Sequence, residues 1–184
     1  MGRESNTLSV VLRQAWDTGD LRTMTKSSPT RSTGAHISIV AHVTRDELRR
    51  AMAETEHTNG FANRFLWACV RRSKSLPEGG RIHEVDFDSF VDRLRQSVRF
   101  AANAGRLDRD DPARDRWHQV YDMLSAGRPG LLGSVTARAE AQVMRLACQY
   151  ALLDSSPVIR LHHLDAGLAR QQPTDRSQAL LAGH

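Results

Sequence analysis

AHISIVAHVTRDELRRAMAETEHTNGFANRFLWACVRR, residues 35–72, is the stretch of sequence that decides the fold class. Its first apolar run, HISIVA at residues 36–41, is short and partly β-branched, which is typical of a strand buried in a parallel sheet. FLWACV at residues 65–70 is a second run of the same kind. Two such runs in close succession predict part of an α/β sheet.

Between the two runs the sequence carries the start and stop signals of a helix. Thr44 is followed three residues later by Glu47, which is the spacing of a capping box that opens a helix at Arg45. Asn59-Gly60 is a C-terminal stop signal. The stretch therefore predicts a strand, a helix, a loop and a second strand.

Polar side chains lie at the ends of the two predicted strands. His42 and Thr44 follow the first strand, and Asn63 and Arg64 precede the second. In open α/β sheets, ligands bind just beyond the carboxyl ends of the strands. These positions are the first candidates for a functional site.

Upstream, the apolar spacing predicts an amphipathic helix over residues 6–16 and a β-hairpin over residues 21–35. The hairpin has a polar, basic tip that includes Lys26, with Arg31 nearby. A lysine at such a tip suits a contact with a phosphate, whereas the simpler interpretation is a solvated loop lysine.

Downstream, the apolar spacing is helical throughout. It predicts a small bundle whose helices bury their apolar stripes, at about residues 87–103, 112–126, 134–153 and 162–168. The chain then has four parts, which are a core at residues 1–76, a linker with Pro and Gly-Gly at 77–85, a helical subdomain at 86–170 and a disordered tail at 171–184.

Composition and charge bound the class of protein. The 40% hydrophobic and 26% charged content are values of a globular chain. The net charge of +5 arises in residues 1–82, which hold 13 Lys/Arg and 8 Asp/Glu, whereas residues 83–184 hold 13 of each. This asymmetry suits a first half that faces nucleic acid. No apolar run approaches the ~20 residues needed to cross a membrane, and the N-terminus has no signal segment, so we expect a cytoplasmic protein without a membrane partner.

Cysteine and histidine usage does not indicate a metal site. Cys69 and Cys148 lie in apolar periodic segments, which favours buried free thiols. The pair His162-His163 is interpreted as the start of a helix, because no third ligand is evident in the sequence.

The motifs HISIVAHVT, ELRR, NGFANRFLW and RRSKSLP together resemble the ATPase domain of phage-, plasmid- and element-encoded primase-helicase proteins, a domain that is often of unknown function or named bifunctional DNA primase/polymerase. The order of parts is more distantly similar to the minichromosome-maintenance branch of the AAA+ ATPases. The resemblance covers residues 2–170. It implies an α/β fold in which a partial P-loop NTPase core, with two buried strands plus a hairpin, is followed by an α-helical lid bundle.

The resemblance also implies catalytic roles for four residues. Arg64 resembles the arginine finger that such rings present to a neighbouring subunit's nucleotide, and its alternative roles are to cap a strand or to pair with a nearby glutamate, Glu54 or Glu56. His42 or Thr44 matches a polar sensor position, although Thr44 is also the helix cap and His42 is equally a candidate structural histidine.

In the segment that resembles the lid, Arg138 matches a second sensor arginine that contacts the nucleotide phosphates. An arginine near a helix N-terminus is unfavourable for the helix dipole, and a bound anion would offset this. The alternative is a surface arginine paired with Glu140 or Asp154. On the hairpin, Lys26 occupies the place of a lysine that minichromosome-maintenance-like helicases carry into the central channel, so Lys26 and Arg31 are the nucleic-acid-binding candidates.

One signature of the family is missing from the chain. No G-x-x-x-x-G-K-[ST] occurs in the sequence. We therefore expect a truncated ATPase module of a DNA-replication primase-helicase, with sensor, finger and lid parts but inactive alone. ATP and magnesium are the cofactors of the family, and neither is expected to bind this chain alone. Its core strands, without their neighbours, would expose edges and apolar faces.

The partners that follow from this interpretation are DNA, further copies of the chain, or an ATPase that supplies the phosphate-binding loop. One alternative is a non-enzymatic module that binds DNA or a protein partner through its basic first half. Another is a remnant that supplies Arg64 in trans to an intact ATPase.

Overall fold

The computed structural model of the 184-residue chain describes residues 4–23, 30–44, 46–47, 60–68, 70, 72–127, 133 and 136–182. The chain forms two compact units. The first comprises Met1–Phe65, Arg128–Ala137 and Leu180–His184, and the second comprises Leu66–Gly127 and Arg138–Ala179. The described residues give a mixed α/β chain with a helical part and two small sheets. None of the described helices is both long and apolar enough to cross a membrane.

The first unit begins with helix α1, Glu4–Asp17, where a helix was predicted. Gly19 ends it with a φ of +74°, and its N–H donates to the carbonyl of Gln14 (3.0 Å). The Gly19 carbonyl accepts from the N–H of Ala35 (2.8 Å), and a Cβ at Gly19 would lie 2.8 Å from the carbonyl oxygen of Ala35. Glycine is required here both by the positive φ and by this close approach.

A short antiparallel hairpin follows α1, as predicted. Strand β1, Leu21–Thr23, pairs with strand β2, Thr30–Ser32. Residues 24–29, which include the predicted tip with Lys26, lie outside the described residues.

The two predicted buried strands are absent from the described structure. Residues 36–44 have no regular secondary structure, and their apolar side chains are exposed, with Val40 at 92%. Residues 66–68 and 70 also have no regular structure, and Val70 is 82% exposed. The prediction of two buried strands is therefore wrong for these residues. β-branched composition favours a half-buried pleated surface, and it forms a strand only where a neighbouring strand provides that surface.

The predicted capping box is present. The Thr44 hydroxyl donates to Oε2 of Glu47 (2.7 Å) and accepts from the Glu47 N–H (3.3 Å), while the Thr44 N–H donates to the same carboxylate (3.2 Å). Asp46 and Glu47 are helical. Most of the predicted helix, at residues 45 and 48–59, lies outside the described residues.

The second unit contains most of the helices. Its elements in chain order are α2 (Asp88–Ala101), β3 (Asp108–Arg109), α3 (Asp111–Ser125), α4 (Ala139–Leu153), β4 (Val158–Ile159) and α5 (Leu161–Ala182). Strands β3 and β4 pair in parallel. Asp110 caps α3 by accepting from the N–H of Ala113 (2.9 Å). The last helix continues to Ala182, beyond the predicted end at residue 168 and through most of the predicted disordered tail.

The core of this unit lies among α3, α4, α5 and β4. The apolar stripes of these three helices were predicted to be buried. Its buried apolar side chains are Ala113, Val120, Val143, Ala147, Ala151, Ile159, Leu164 and Leu168. A Cβ at Gly167 would lie 2.9 Å from the carbonyl oxygen of Val143, so glycine allows the backbones of α5 and α4 to approach closely.

The apolar stripe of α2 does not join this core. Its five large apolar side chains are between 39% and 59% exposed, and they are Phe87, Phe90, Val91, Leu94 and Val98. The sequence predicted a helix here, which is confirmed, and a core stripe, which is wrong. Helix α2 instead contacts α4 through an adjacent edge, where Ser97 is buried and its hydroxyl donates to the carbonyl of Leu153 (2.7 Å).

Candidate functional site

Arg64, the predicted arginine finger, lies in a short 3-10 turn, Ala62–Arg64, in the first unit. Gly60 precedes the turn with a φ of +72°. The turn directs the Arg64 side chain back over Gly60, so that Nη1 donates to the Gly60 carbonyl. A Cβ at Gly60 would lie 3.1 Å from this same Nη1. The glycine thus allows both the turn and the close approach of the guanidinium.

The second contact of Arg64 is an ion pair with Asp17, the last residue of α1. Nη2 lies 2.6 Å from Oδ2 of Asp17, and the Arg64 side chain is only 10% exposed. Glu54 and Glu56, the partners considered from the sequence, lie outside the described residues. A charge-assisted bond of this length is among the stronger polar contacts in proteins. Any phosphate that recruited Arg64 would have to compete with Asp17.

One polar atom of Arg64 is left over in this arrangement. Its Nε is buried and has no hydrogen-bond partner among the described residues. An orphaned N–H beside an ion pair is unfavourable unless an acceptor reaches it. The geometry is that of a tethered guanidinium whose buried Nε–H is unused, and the arginine-finger role of Arg64 stays a prediction.

The hairpin carries a pair of arginines in register. Arg22 on β1 and Arg31 on β2 are direct cross-strand partners, and both are exposed. Like charges placed directly opposite one another repel, and an anion between them would relieve that repulsion. Neither arginine forms an ion pair with the described residues. Arg31 was predicted as a nucleic-acid contact, whereas Arg22 was not recognised from the sequence.

The two predicted sensor residues lie in exposed positions. Thr44 has its hydroxyl engaged in the helix cap with Glu47, and this hydrogen bond lowers the pKa of the Glu47 carboxyl. His42 is exposed in the segment without regular structure. Within the described part of the first unit, no hydrogen bond or ion pair joins Arg31, His42, Thr44 and Arg64 to one another.

Arg138, the predicted second sensor, belongs to the second unit. It occupies the N-cap position of α4, and its carbonyl accepts from the Gln142 N–H (3.0 Å). Its side chain is half-buried. The predicted position at the start of the long helix is confirmed, and its role toward a nucleotide stays a prediction.

A buried histidine lies at the start of α5 in the second unit. His163 is 1% exposed, and its Nδ1 accepts from the backbone N–H of Arg160 (3.0 Å). Arg160 precedes the first helical residue, so His163 takes the place that a glutamate or glutamine holds in a capping box. Because Nδ1 is an acceptor, the proton of the neutral ring is on Nε2, which donates to Oδ2 of Asp154 (3.1 Å).

Asp154 and His162 complete a cluster with His163 whose ligand atoms all lie within 4.8 Å of one another. No third group was evident from the sequence, and the structure places Asp154 at this position. A histidine that binds a metal through Nε2 normally donates its Nδ1–H to an acceptor, whereas here Nδ1 receives a hydrogen bond. The cluster is therefore arranged as a helix cap, and His162-His163 mark a helix start as predicted.

The pKa of His163 is lowered, first by burial and next by the neighbouring His162, with Asp154 acting in the opposite direction. Beside the cluster lies a cavity of about 430 Å³ among α2, α4 and α5. Phe90, Leu94 and Leu153 form apolar walls, and Arg93 lies at the same cavity. A basic side chain that lines the same cavity as Asp154 does not favour a cation there.

Three residues of these sites were not identified as site residues from the sequence. The sequence indicated no contact for Asp17 or Arg22, and it suggested Asp154 only as a possible partner of Arg138. The cross-strand position of Arg22 could have been derived from a correct hairpin register, since β1 and β2 are separated by six residues. No local signal identifies the other two, because their partners are distant in the chain or beyond a turn.

Comparison with known proteins finds no family model that matches this chain, and neither a curated protein nor a solved structure that is similar to it.

Proposed function

We propose that this chain is the sensor, finger and lid part of a primase-helicase-type ATPase, and that it requires a separate phosphate-binding part to act on ATP. The observation that carries the proposal is the exposure of residues 36–43. This run has the composition of a buried strand, yet Ile37, Ile39 and Val40 are 47%, 45% and 92% exposed. A run of this kind is what remains of a sheet whose neighbouring strands are provided from elsewhere.

The contacts of Arg64 support the same proposal. Held by Asp17 and Gly60, the guanidinium is kept in place but is not presented to solvent. The phosphate-binding part would have to offer the unused Nε a phosphate acceptor. In the family that the sequence resembles, ATP and magnesium would enter with the phosphate-binding loop. The cytoplasmic location is part of this proposal.

The test is nucleotide binding and turnover by the purified chain, with and without single-stranded DNA. We expect neither ATP binding nor hydrolysis by the chain alone, because no phosphate-binding loop is in the sequence. Turnover that disappears in Arg64→Ala but persists in Arg114→Ala, an exposed arginine on α3, would reveal a nucleotide site and refute the proposal.

A second candidate function is nucleic-acid binding without ATP, and the opposed arginines of the hairpin favour it. Arg22 and Arg31 concentrate positive charge on one face of a two-stranded ribbon, next to the residues that include Lys26. Such an arrangement suits a phosphate backbone more than a base edge, because it carries charge without a fixed donor pattern.

The experiment for this candidate is the salt dependence of single-stranded DNA binding. Each phosphate contact contributes about 0.7 to the slope of log K against log salt for single strands. We expect the double variant R22A/R31A to lower the slope by about 1.4, if each arginine contacts one phosphate. The matched control R106A/R114A removes two exposed arginines of the second unit and should leave the slope unchanged. Equal slopes for both double variants would refute a specific role of the hairpin.

A further inference from the structure

Helix α2 exposes an apolar face that the second unit does not cover. Phe87, Phe90, Leu94 and Val98 follow one another at intervals of three and four residues, which places them on one side of the helix. Phe87 and Phe90 are about half exposed, at 49% and 59%. Since an aromatic side chain offers about 150–250 Å² of surface, these two alone leave on the order of 200 Å² of apolar area in solvent.

The exposure follows from the way α2 is attached. Ser97 lies beside the apolar stripe, and its hydroxyl donates to the carbonyl of Leu153 at the end of α4. This contact fixes the polar edge of α2 against α4 and leaves the stripe about half exposed, with Phe90 and Leu94 also at the rim of the cavity among α2, α4 and α5. With Val91, Leu94 and Val98 included, the patch is on the order of 400 Å², a size at which exposed apolar patches mark interaction sites.

Charged residues beside the stripe are divided by sign along the helix. Asp88 and Asp92 lie in the N-terminal half, and Arg95 and Arg99 lie in the C-terminal half. At about 100° per residue, all four fall on the same flank of the stripe, and all four are exposed. The flank is thus acidic at one end of α2 and basic at the other.

The charged flank of α2 is complementary to the same flank of a second copy in one orientation of the two helices. If two α2 helices pair antiparallel about a two-fold axis near Leu94, each acidic half lies opposite a basic half. Asp92 then faces Arg95 of the second copy, and Asp88 faces Arg99 of the second copy. In a parallel two-fold pair, by contrast, the two charged flanks would lie on opposite sides of the contact, and these ion pairs would not form.

The apolar residues match under the same axis. Leu94 meets Leu94 of the second copy, and Phe90 meets Val98 of the second copy. Both the apolar stripe and the charged flank are therefore self-complementary under one two-fold operation, which is the requirement of an isologous interface. We propose that α2 is a homodimer interface, in which the exposed stripe of one chain packs antiparallel against the same stripe of a second copy.

The size of the patch limits the strength of this dimer. An apolar patch of about 400 Å² with a charged rim buries less than the roughly 800 Å² per partner of a standard interface. We therefore expect a dissociation constant on the order of 10 μM rather than a permanent dimer. Because the flank pairs are exposed, the association is expected to weaken as the salt concentration rises.

Sedimentation velocity of the full chain tests the proposal over concentrations from about tenfold below to about tenfold above this value. The unmodified chain is expected to shift from monomer to dimer across the range. Leu94→Glu places two carboxylates at the axis and is expected to keep the chain monomeric. Since Leu94 is 55% exposed, the helical circular dichroism signal of this variant should be unchanged.

Charge reversal on the flank gives the sharper test. Asp92→Arg places arginine opposite Arg95, and Arg95→Asp places aspartate opposite Asp92, so each variant alone is expected to weaken dimerisation at least tenfold. An equimolar mixture of the two variants restores opposite charges at both contacts and is expected to recover the dimer. Within one chain Arg95 pairs with Asp92 (3.3 Å), and Arg114 pairs in the same i,i+3 way with Asp111 on α3 (2.8 Å), so Arg114→Asp is the matched control. It should dimerise like the unmodified chain.

Three results would overturn the proposal. The unmodified chain could stay monomeric throughout the range, or the mixture of charge variants could fail to recover the dimer. Alternatively, Leu94→Glu could leave the oligomeric state unchanged and lower the melting temperature of the monomer. That last result would mean that the stripe is covered by another part of the same chain.

Discussion

Replacement of His163 by alanine is expected to destabilise the second unit by about 3 kcal/mol, because two effects add. Loss of Nδ1 as acceptor removes the cap of the Arg160 N–H at the start of α5, which costs about 1 kcal/mol since Arg160 is exposed and water replaces part of the bond. Removal of a ring that is 1% exposed enlarges the cavity that the ring lines, which costs about 2 kcal/mol. Loss of the bond to Asp154 adds little, because that carboxylate is 57% exposed and remains hydrated.

Two other variants separate these effects. His163→Gln keeps an acceptor at the capping position and fills more of the site, so about half of the lost stability should return. His162→Ala removes the neighbouring ring, which is 65% exposed, and should change stability by less than about 0.5 kcal/mol.

Amide hydrogen exchange measures the effect in the second unit alone, through the opening free energy of the slowly exchanging amides of Val143, Ala147 and Ala151. If His163→Ala and His162→Ala were to change this free energy equally, His163 would not be the cap and core group described above.

Three further predictions follow from the same contacts. Because burial lowers the pKa of His163, the unfolded state binds a proton more readily than the folded state. The opening free energy of the second unit should therefore fall as the pH decreases below about 6.5, which hydrogen exchange at pH 7.5 and 5.5 measures. A stability that rises on acidification contradicts this prediction. Arg64→Ala and Asp17→Ala should each destabilise the first unit by about 1–3 kcal/mol in urea denaturation, since each variant leaves the charged partner unpaired. An unchanged free energy of unfolding would indicate an arginine that is free for another role. Gly167→Ala should lower the stability measured by thermal unfolding by about 1–3 kcal/mol, because the new Cβ would meet the Val143 carbonyl oxygen. Gly127→Ala is the neutral control, since there is open space around Gly127. Equal melting temperatures of the two variants would contradict the close approach of α5 and α4.

Features that a few neighbouring residues encode could be predicted from the sequence. The capping box of Thr44 and Glu47 and the cap of α3 at Asp110 are contacts over three residues, and both are present. Helices α1, α2, α3 and α4 follow the apolar spacing, and the hairpin lies where alternation predicted it.

Features that depend on distant partners could not be predicted in this way. A strand at residues 36–41 needs neighbours that no described part of the chain supplies, so its composition alone does not make it a strand. Arg64 pairs with Asp17 across 47 residues, a partner that the sequence did not suggest. The stripe of α2 has the spacing of a core helix, but periodicity shows only which face is apolar and not what covers that face.

The most direct test of the central claim is amide-resolved hydrogen exchange of residues 36–43 in the isolated chain. In the described structure these residues make no backbone hydrogen bond with the described part of the chain, whereas the adjacent Ala35 N–H donates to Gly19. If the run is a strand that awaits a partner, its amides should exchange within about tenfold of the rate of an unstructured peptide, while Ala35 and the core of α4 are protected. Protection of residues 36–43 equal to that of Val143–Ala151 would show that the run is already paired within the chain, and the proposal of an incomplete sheet would then be wrong.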